Sequence, residues 1–440
     1  MDLLIRGGTL LTMDAKRRVL KGDLRIRDGR ILVLGKDPGG APARVLDAEG
    51  AVVMPGLVQA HVHLCQALFR GMADDMPLLP WLRKRIWPLE GAHDRASLTA
   101  SARLGLAEML LAGTTTILDM GTVRHQDAIF EAMSEAGIRG FSGKAMMDRG
   151  QGVPKGLREK RVESLRESLR LHRRWHGAAD GRLGYAFAPR FILSCSEQLM
   201  RETAAAADEL GTLVHTHAAE QRAEREAVRE LTGMDDIAAL AEYGVRGERA
   251  VLAHGVWLRA AERRRLAKDG TRVVHCPSAN LKLASGIAEV SALREAGVVV
   301  GLGADGAPCN NRMDPFTELR SASLLAKARE GDAAAMPAME ALAMATIDGA
   351  RVLGLGDVTG SLEVGKRGDV TVVDLEGLHS GPAGDVASRV VYASRASDVR
   401  HVVVDGHMRV KNGALVEMDA ERIWREAERQ AKKVAARAGL

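Results

Sequence analysis

Between Pro55 and about Leu355 the chain repeats one pattern: a short apolar run ending in polar or glycine residues, then a longer stretch of helical period. The runs include TTTILDM, RGFSGKAMMD, GTLVHTHAAE, RAVLAHG, TRVVHCP and VVVGLGADG. Strands of a parallel sheet are covered on both faces, so they read as continuous apolar runs, and each needs a crossover helix to reach the next. This many βα units in roughly 300 residues suit a closed (β/α)8 barrel of the TIM type better than an open sheet. In such a barrel the functional groups sit at the C-terminal ends of the strands.

The two ends of the chain read differently. Residues 2–53 give short alternating strands, with Asp28-Gly29 as a hairpin dipeptide between LRIR and RILVLG. The pattern returns in GSLEVGKRGDVTVVDLE and VRHVVVDGHMRVKNG, again with Asp-Gly turns. Two β segments flanking a barrel can complete one small β-sandwich. The expected α/β organisation is therefore a composite sandwich from 1–54 and 360–415, a catalytic barrel over 55–359, and a C-terminal helix within 416–440, where Asp419 to Arg437 is helical in composition.

Composition narrows the function classes. Apolar residues at 46% and charged residues at 27% are ordinary for a globular protein. The net charge of +5 is dispersed, and the densest basic cluster, Arg263 to Arg265, has acidic neighbours, so it reads as solvated surface rather than a nucleic-acid patch. No apolar run reaches membrane-spanning length, and the N-terminus enters a β pattern without a signal-peptide layout. A cytoplasmic protein is expected, with no membrane and no nucleic-acid partner. Cys65, Cys195, Cys276 and Cys309 lack CxxC spacing and are expected to be reduced, small buried residues.

The chemistry is carried by polar residues at the ends of the apolar runs. His61 and His63 are two apart in LVQAHVHL, which on a strand puts both imidazoles on one face. His217, with Glu220 three residues later, ends another run, and His254, His275 and Asp305 each end one more. Such a set at separate strand ends fits one divalent ion that activates a water. Glu220 is placed to take the proton of the water and pass it on. Asp305 can bind the ion through one oxygen and collect a second proton, His254 can hydrogen-bond the attacking water or the developing tetrahedral centre, and His275 can orient the substrate. His215, two before His217, mimics a chelating pair but reads as structural.

As an ordered set, MPGLVQAHVHL, DDMPLLPWLRKRIWPLE, HTHAAE, LAHGVWL, HCPSANLKLASG, GLGADGAPCNN and GSLEVGKRGDVTVVD resemble the amidohydrolase superfamily over nearly the whole chain. Within it they resemble the branch of guanine deaminase, adenosylhomocysteine and deoxyadenosine deaminases, and s-triazine hydrolases such as chlorohydrolases. The resemblance implies a distorted eight-stranded barrel with a sandwich from both termini. It implies one zinc or iron ion at His61, His63, His217 and Asp305, Glu220 as proton shuttle, and commonly a dimer or higher homo-oligomer. Two-metal members use a carboxylated lysine after strand four, whereas Lys144 stands one strand too early.

Gln66 and Arg190 resemble the pair with which guanine deaminases grip a purine. Glu90 resembles the acid that nucleoside deaminases place near ribose hydroxyls. ADGAPCNNRMD departs from guanine deaminases. A glutamine amide can bind a purine edge bidentately, a guanidinium can hold an exocyclic oxygen, and Trp81 or Trp87 can roof a flat ring. The expected function is hydrolytic deamination of an aminopurine, an adenosine-type nucleoside such as deoxyadenosine ahead of guanine. The alternatives are a triazine amino- or chlorohydrolase and, in another class, a non-catalytic barrel scaffold.

Overall fold

The computed structural model describes residues 2–35, 39–41 and 44–440; the remaining residues of the expected N-terminal β segment lie outside these. Five strands open the chain: β1 (Asp2–Leu11), β2 (Val19–Arg27), β3 (Arg30–Gly35), β4 (Arg44–Asp47) and β5 (Ala51–Pro55). Asp28 and Gly29 join β2 to β3 with φ of +50° and +76°, the paired positive values that make a two-residue turn follow the strand twist.

The barrel follows as β6 (Leu57–Val62), β7 (Thr114–Met120), β8 (Arg139–Gly143), the short β9 (Ala145–Met146), β10 (Leu183–Pro189), β11 (Leu213–Ala218), β12 (Ala250–His254), β13 (Arg272–His275) and β14 (Val300–Leu302). Strands β15 (Val370–Asp374), β16 (Val399–Val404), β17 (His407–Lys411) and β18 (Ala414–Leu415) end the β structure.

Among the described residues the terminal strands form one mixed sheet in the order β18-β17-β16-β15-β5-β1-β2-β3, with β4 beside β1. It has a core of its own in which Leu3 and Ile5, Leu24 and Ile26, and Val370 and Val372 point inward at the period of two that a strand dictates. The expected β unit built from both ends of the chain is therefore present as a continuous mixed sheet. Arg139, at the start of β8, joins the sheet to the barrel: its guanidinium donates to Asp369 (2.6 Å) and Asp405 (3.1 Å) in a buried cluster.

The barrel strands are parallel in the order β14-β13-β12-β11-β10-β8-β7-β6, with β9 beside β10. The seam between β14 and β6 is closed by a parallel bridge between Val62 and Asp305 and by the Asp305 N–H donating to the His61 carbonyl at 3.1 Å. Gly303 lies on that seam. A Cβ there would stand 2.6 Å from the His61 carbonyl oxygen and 2.9 Å from its nitrogen, so closure at this point admits only glycine.

Between β6 and β7 the chain makes a long helical excursion instead of a short loop. Helical turns at Leu64–Phe69, Leu78–Trp81, Leu82–Ile86 and Trp87–Gly91 precede the helix Arg95–Leu111. This segment lies over the strand ends. The C-terminal helix Ala420–Ala438 packs Ala427 and Val434 against Phe69 and Leu89, so it braces the same excursion from outside. In the basic cluster, Arg263 pairs with Glu289 and Arg265 with Asp269. No helix among the described residues is long and apolar enough to cross a membrane.

Candidate active site

Side chains from the ends of β6, β11 and β14 converge at the C-terminal mouth of the barrel. One donor atom each from His61, His63, His217 and Asp305 can be chosen so that all lie within 4.8 Å of one another. Asp305 Oδ1 is 3.3 Å from the Nε2 atoms of both His61 and His63, and the Nε2 atoms of His63 and His217 are 3.2 Å apart.

The hydrogen bonds behind these rings decide what the facing atoms are. His63 Nδ1 bonds the Met120 carbonyl at 2.7 Å and His217 Nδ1 bonds the Arg190 carbonyl at 2.8 Å. A carbonyl only accepts, so each Nδ1 carries the proton and, in a neutral ring, each Nε2 is a lone pair. Burial keeps the rings neutral: it lowers His63 to about 4 and His217 well below the usual imidazole value. Two lone pairs 3.2 Å apart repel, and His61 Nε2 is buried without a hydrogen bond. A cation between them removes both penalties, and imidazole nitrogens with a carboxylate oxygen are donors for a borderline divalent ion. The residues fit the metal that the sequence pattern implied.

Glu220 and His254 flank this point. Glu220 Oε2 is 3.5 Å from His254 Nε2, which is 3.9 Å from Asp305 Oδ2. Burial, with the Asp305 charge adding to it, pushes the Glu220 carboxyl well above its ordinary range. Ser285 donates to Glu220 Oε1 at 3.3 Å, and Glu224 accepts the Glu220 N–H at 2.8 Å. His254 Nδ1 faces Asn280 Oδ1 at 2.9 Å, which leaves its Nε2 as the acceptor toward the site. Backbone strain aims these groups: Ala219, His254 and Asp305 have φ of +54°, +77° and +63°, left-handed values that cost non-glycine residues energy and cluster where a side chain must be turned.

Gln66, Trp81 and Arg190 stand on the wall of the cavity above, with Leu78, Leu82 and Phe191. Three of the residues expected to touch the substrate are not on this lining. Glu90 lies behind the wall, because its carboxylate is taken by Arg190 (Nη2 at 3.2 Å) and by the Gln66 amide (2.7 Å). His275 is buried outside the lining, its Nδ1 without a hydrogen bond. Trp87 likewise is buried in the apolar core of the excursion and is not among the lining residues. Lys144 follows the third barrel strand and is buried against Glu159 and Ser164, while the end of the fourth strand is occupied by Arg190. The four cysteines are free and buried.

Sequence reasoning passed over Asn280, Ser285 and Glu224. Asn280 and Ser285 lie in the segment HCPSANLKLASG, and Glu224 follows Glu220 by one helical turn, the only local signals they carried.

The chain matches the model of the amidohydrolase family over residues 52–409. It is 40% identical over 439 residues to a 5-methylthioadenosine/S-adenosylhomocysteine deaminase of Halobacterium salinarum, covering 99% of each chain. It is 37% identical over 438 residues to a 5'-deoxyadenosine deaminase of Methanosarcina acetivorans, again covering 99% of each. Among solved structures it resembles an adenosine deaminase from Xanthomonas campestris with bound zinc, with a TM-score of 0.93, 33% identity and 99% of each chain covered. An atrazine chlorohydrolase from Arthrobacter aurescens complexed with zinc gives a TM-score of 0.92 at 26% identity, over 98% of this chain and all of that one, 100%. This chain belongs to the amidohydrolase family.

Proposed function

We propose that the protein hydrolytically deaminates an adenosine-type nucleoside, with one divalent ion, zinc by preference, held by His61, His63, His217 and Asp305. Family membership, with relatives named as deaminases, makes it a hydrolase acting on non-peptide carbon–nitrogen bonds. The observation that carries the reading is the meeting of neutral imidazole lone pairs and a carboxylate beside a buried Glu220, in a chain 40% and 37% identical to relatives that bear the names of adenosine-nucleoside deaminases.

When bound, such an ion supplies Lewis acidity that brings the pKa of a water toward roughly 7. The remaining work falls to the chain. Glu220, with its raised pKa, takes a proton from the water and holds it long enough to give it to the ring nitrogen beside the reacting carbon. His254, its Nδ1 turned to Asn280, accepts a hydrogen bond at Nε2 and orients the water. The Asp305 carboxylate collects the proton that leaves with ammonia. One water is consumed, the exocyclic carbon–nitrogen bond breaks, and an oxo product and ammonia result.

The cavity as it stands holds about 30 Å³, room for one or two water molecules, so a nucleoside enters with outward movement of Leu78, Trp81 and Leu82. Gln66 and Arg190 on the wall favour guanine as the second reading, because Gln66 Oε1 is buried without a partner and can accept from an amino heterocycle. A triazine substrate has weaker support, resting on a neighbour at 26% identity. The reading is tested by ammonia release from adenosine, 5'-deoxyadenosine, 5'-methylthioadenosine, guanine and melamine, with Glu220→Gln alongside. The nucleosides are expected to react fastest, and Glu220→Gln to lose about 10²- to 10⁴-fold in kcat with its metal retained. Guanine turned over faster than every nucleoside, or activity surviving in Glu220→Gln, refutes it.

A further inference from the structure

We infer that His215 is a positioning residue that lets His61 exchange its proton between nitrogens: His215 accepts a hydrogen bond from His61 Nδ1 when the site holds an ion, and so supports the ligating form of His61. The inference rests on the metal reading above. His63 and His217 are each locked by a backbone carbonyl, which can only accept. His61 has no such lock. Its Nδ1 is 2.8 Å from His215 Nε2, with the two rings nearly perpendicular at 86°, and both side chains are fully buried. An imidazole nitrogen can donate or accept, so this contact has two forms.

In the first, His215 Nε2–H donates to His61 Nδ1. His61 then carries its own proton on Nε2, directed toward Asp305 Oδ1 at 3.3 Å, and cannot ligate. In the second, His61 Nδ1–H donates to His215 Nε2, and His61 Nε2 becomes a lone pair facing the other donors. His215 must then hold its proton on Nδ1, an atom that is buried without a hydrogen-bond partner. The exchange breaks two N–H bonds and forms two, with no net gain or loss of protons.

A purely structural histidine would be expected to satisfy both nitrogens. Here one is left bare, and the other meets a ligand ring at the one ligating imidazole that lacks a carbonyl lock. The spacing of two along β11 brings this about: His215 and His217 share a face, with His217 in the donor set and His215 against the back of His61.

The experiment titrates zinc ions into metal-free protein against a competing chelator, for the wild type, His215→Gln and His215→Leu, and records the ¹⁵N shifts of His61 and His215 with and without zinc. His215→Leu is expected to bind zinc about 10- to 100-fold more weakly, while His215→Gln, whose carbonyl can accept from His61 Nδ1, stays within a few-fold of wild type. In the wild type the proton of His61 is expected to move from Nε2 to Nδ1 on zinc binding. Equal affinity in the leucine variant, equal loss in both variants, or a His61 proton that stays on one nitrogen throughout overturns the inference. If the leucine variant does not fold, the glutamine variant and the wild-type shifts still decide it. A wild type that takes up no zinc overturns the metal reading and this inference together; uptake indifferent to residue 215 overturns the inference alone.

Discussion

Replacing Glu90 by Gln keeps the shape of the side chain and removes its charge, which isolates the ion pair that holds the cavity wall. Both partners are buried, with side-chain exposures of 4% for Arg190 and 1% for Glu90. The substitution leaves a guanidinium without a counter-charge, a loss of about 3–5 kcal/mol for a buried pair. The Gln66 amide, which donates to Glu90 Oε1 at 2.7 Å, exchanges a charged acceptor for a neutral one and adds on the order of 1 kcal/mol. The sum, about 4–6 kcal/mol, is a large part of the roughly 5–15 kcal/mol that holds a folded protein together.

Urea unfolding at 25 °C of wild type, Glu90→Gln, Arg190→Met and the double variant measures this as a cycle. The double variant should be more stable than additivity predicts by about 2–3 kcal/mol, because it leaves no charge unpaired. The pH dependence has a definite sign. Burial pushes the Glu90 carboxyl up, but the Arg190 guanidinium beside it, by charge and hydrogen bond, holds it below the ordinary range. Its contribution is present above the ordinary carboxylate pKa and lost as pH falls through the lowered value. A Glu90→Gln loss under about 1 kcal/mol, or strict additivity, refutes the argument that Glu90 is a wall support.

Other perturbations probe the frame around the site. Gly303→Ala should destabilise by about 1–3 kcal/mol through the clash with the His61 backbone, and should weaken metal binding as the seam shifts; unchanged thermal unfolding and metal affinity would contradict the closure described. Burial pushes the Glu318 carboxyl from 4.5 up to about 7 despite donors from Ser278 and Asn310. A raised acid contributes stability that is present below pH 4.5 and lost as pH rises through about 7, so wild type should lose about 3 kcal/mol more than Glu318→Gln across that window, and parallel stability–pH curves would refute it.

Much of the barrel could be read from the chain because parallel strands, buried on both faces, leave apolar runs that end in the functional residues. The hairpins were legible for a different reason: Asp28-Gly29 supplies the positive φ its turn requires, as Asp405-Gly406 does between β16 and β17. Strand β10 escaped the series of runs, since Gly184, Ala186 and Ala188 dilute its apolar character. The donor group was visible in HxH, HTH and the aspartate of GLGADG, whose spacing on strands puts side chains on a shared face.

What holds those donors was not visible. The carbonyls of Met120 and Arg190 that set two tautomers belong to the backbone, which every residue has and no letter marks. Glu90 meets Arg190 across 100 residues of chain, so a carboxylate expected to face hydroxyls at the mouth is instead held by a guanidinium that only the folded arrangement brings near. His215 was ambiguous for a related reason, because a histidine two residues from a ligand is compatible with ligation, support or neither until its neighbour across the barrel is known.

The most direct test of the account is the metal content of protein purified without added chelator, measured by elemental analysis for the wild type and for His63→Ala and Asp305→Ala. One transition-metal ion per chain is expected in the wild type, with loss of most of it in each variant while the fold persists by circular dichroism. Wild-type protein without stoichiometric metal, or variants that retain it in full, would contradict the claim that these four side chains form one cation site.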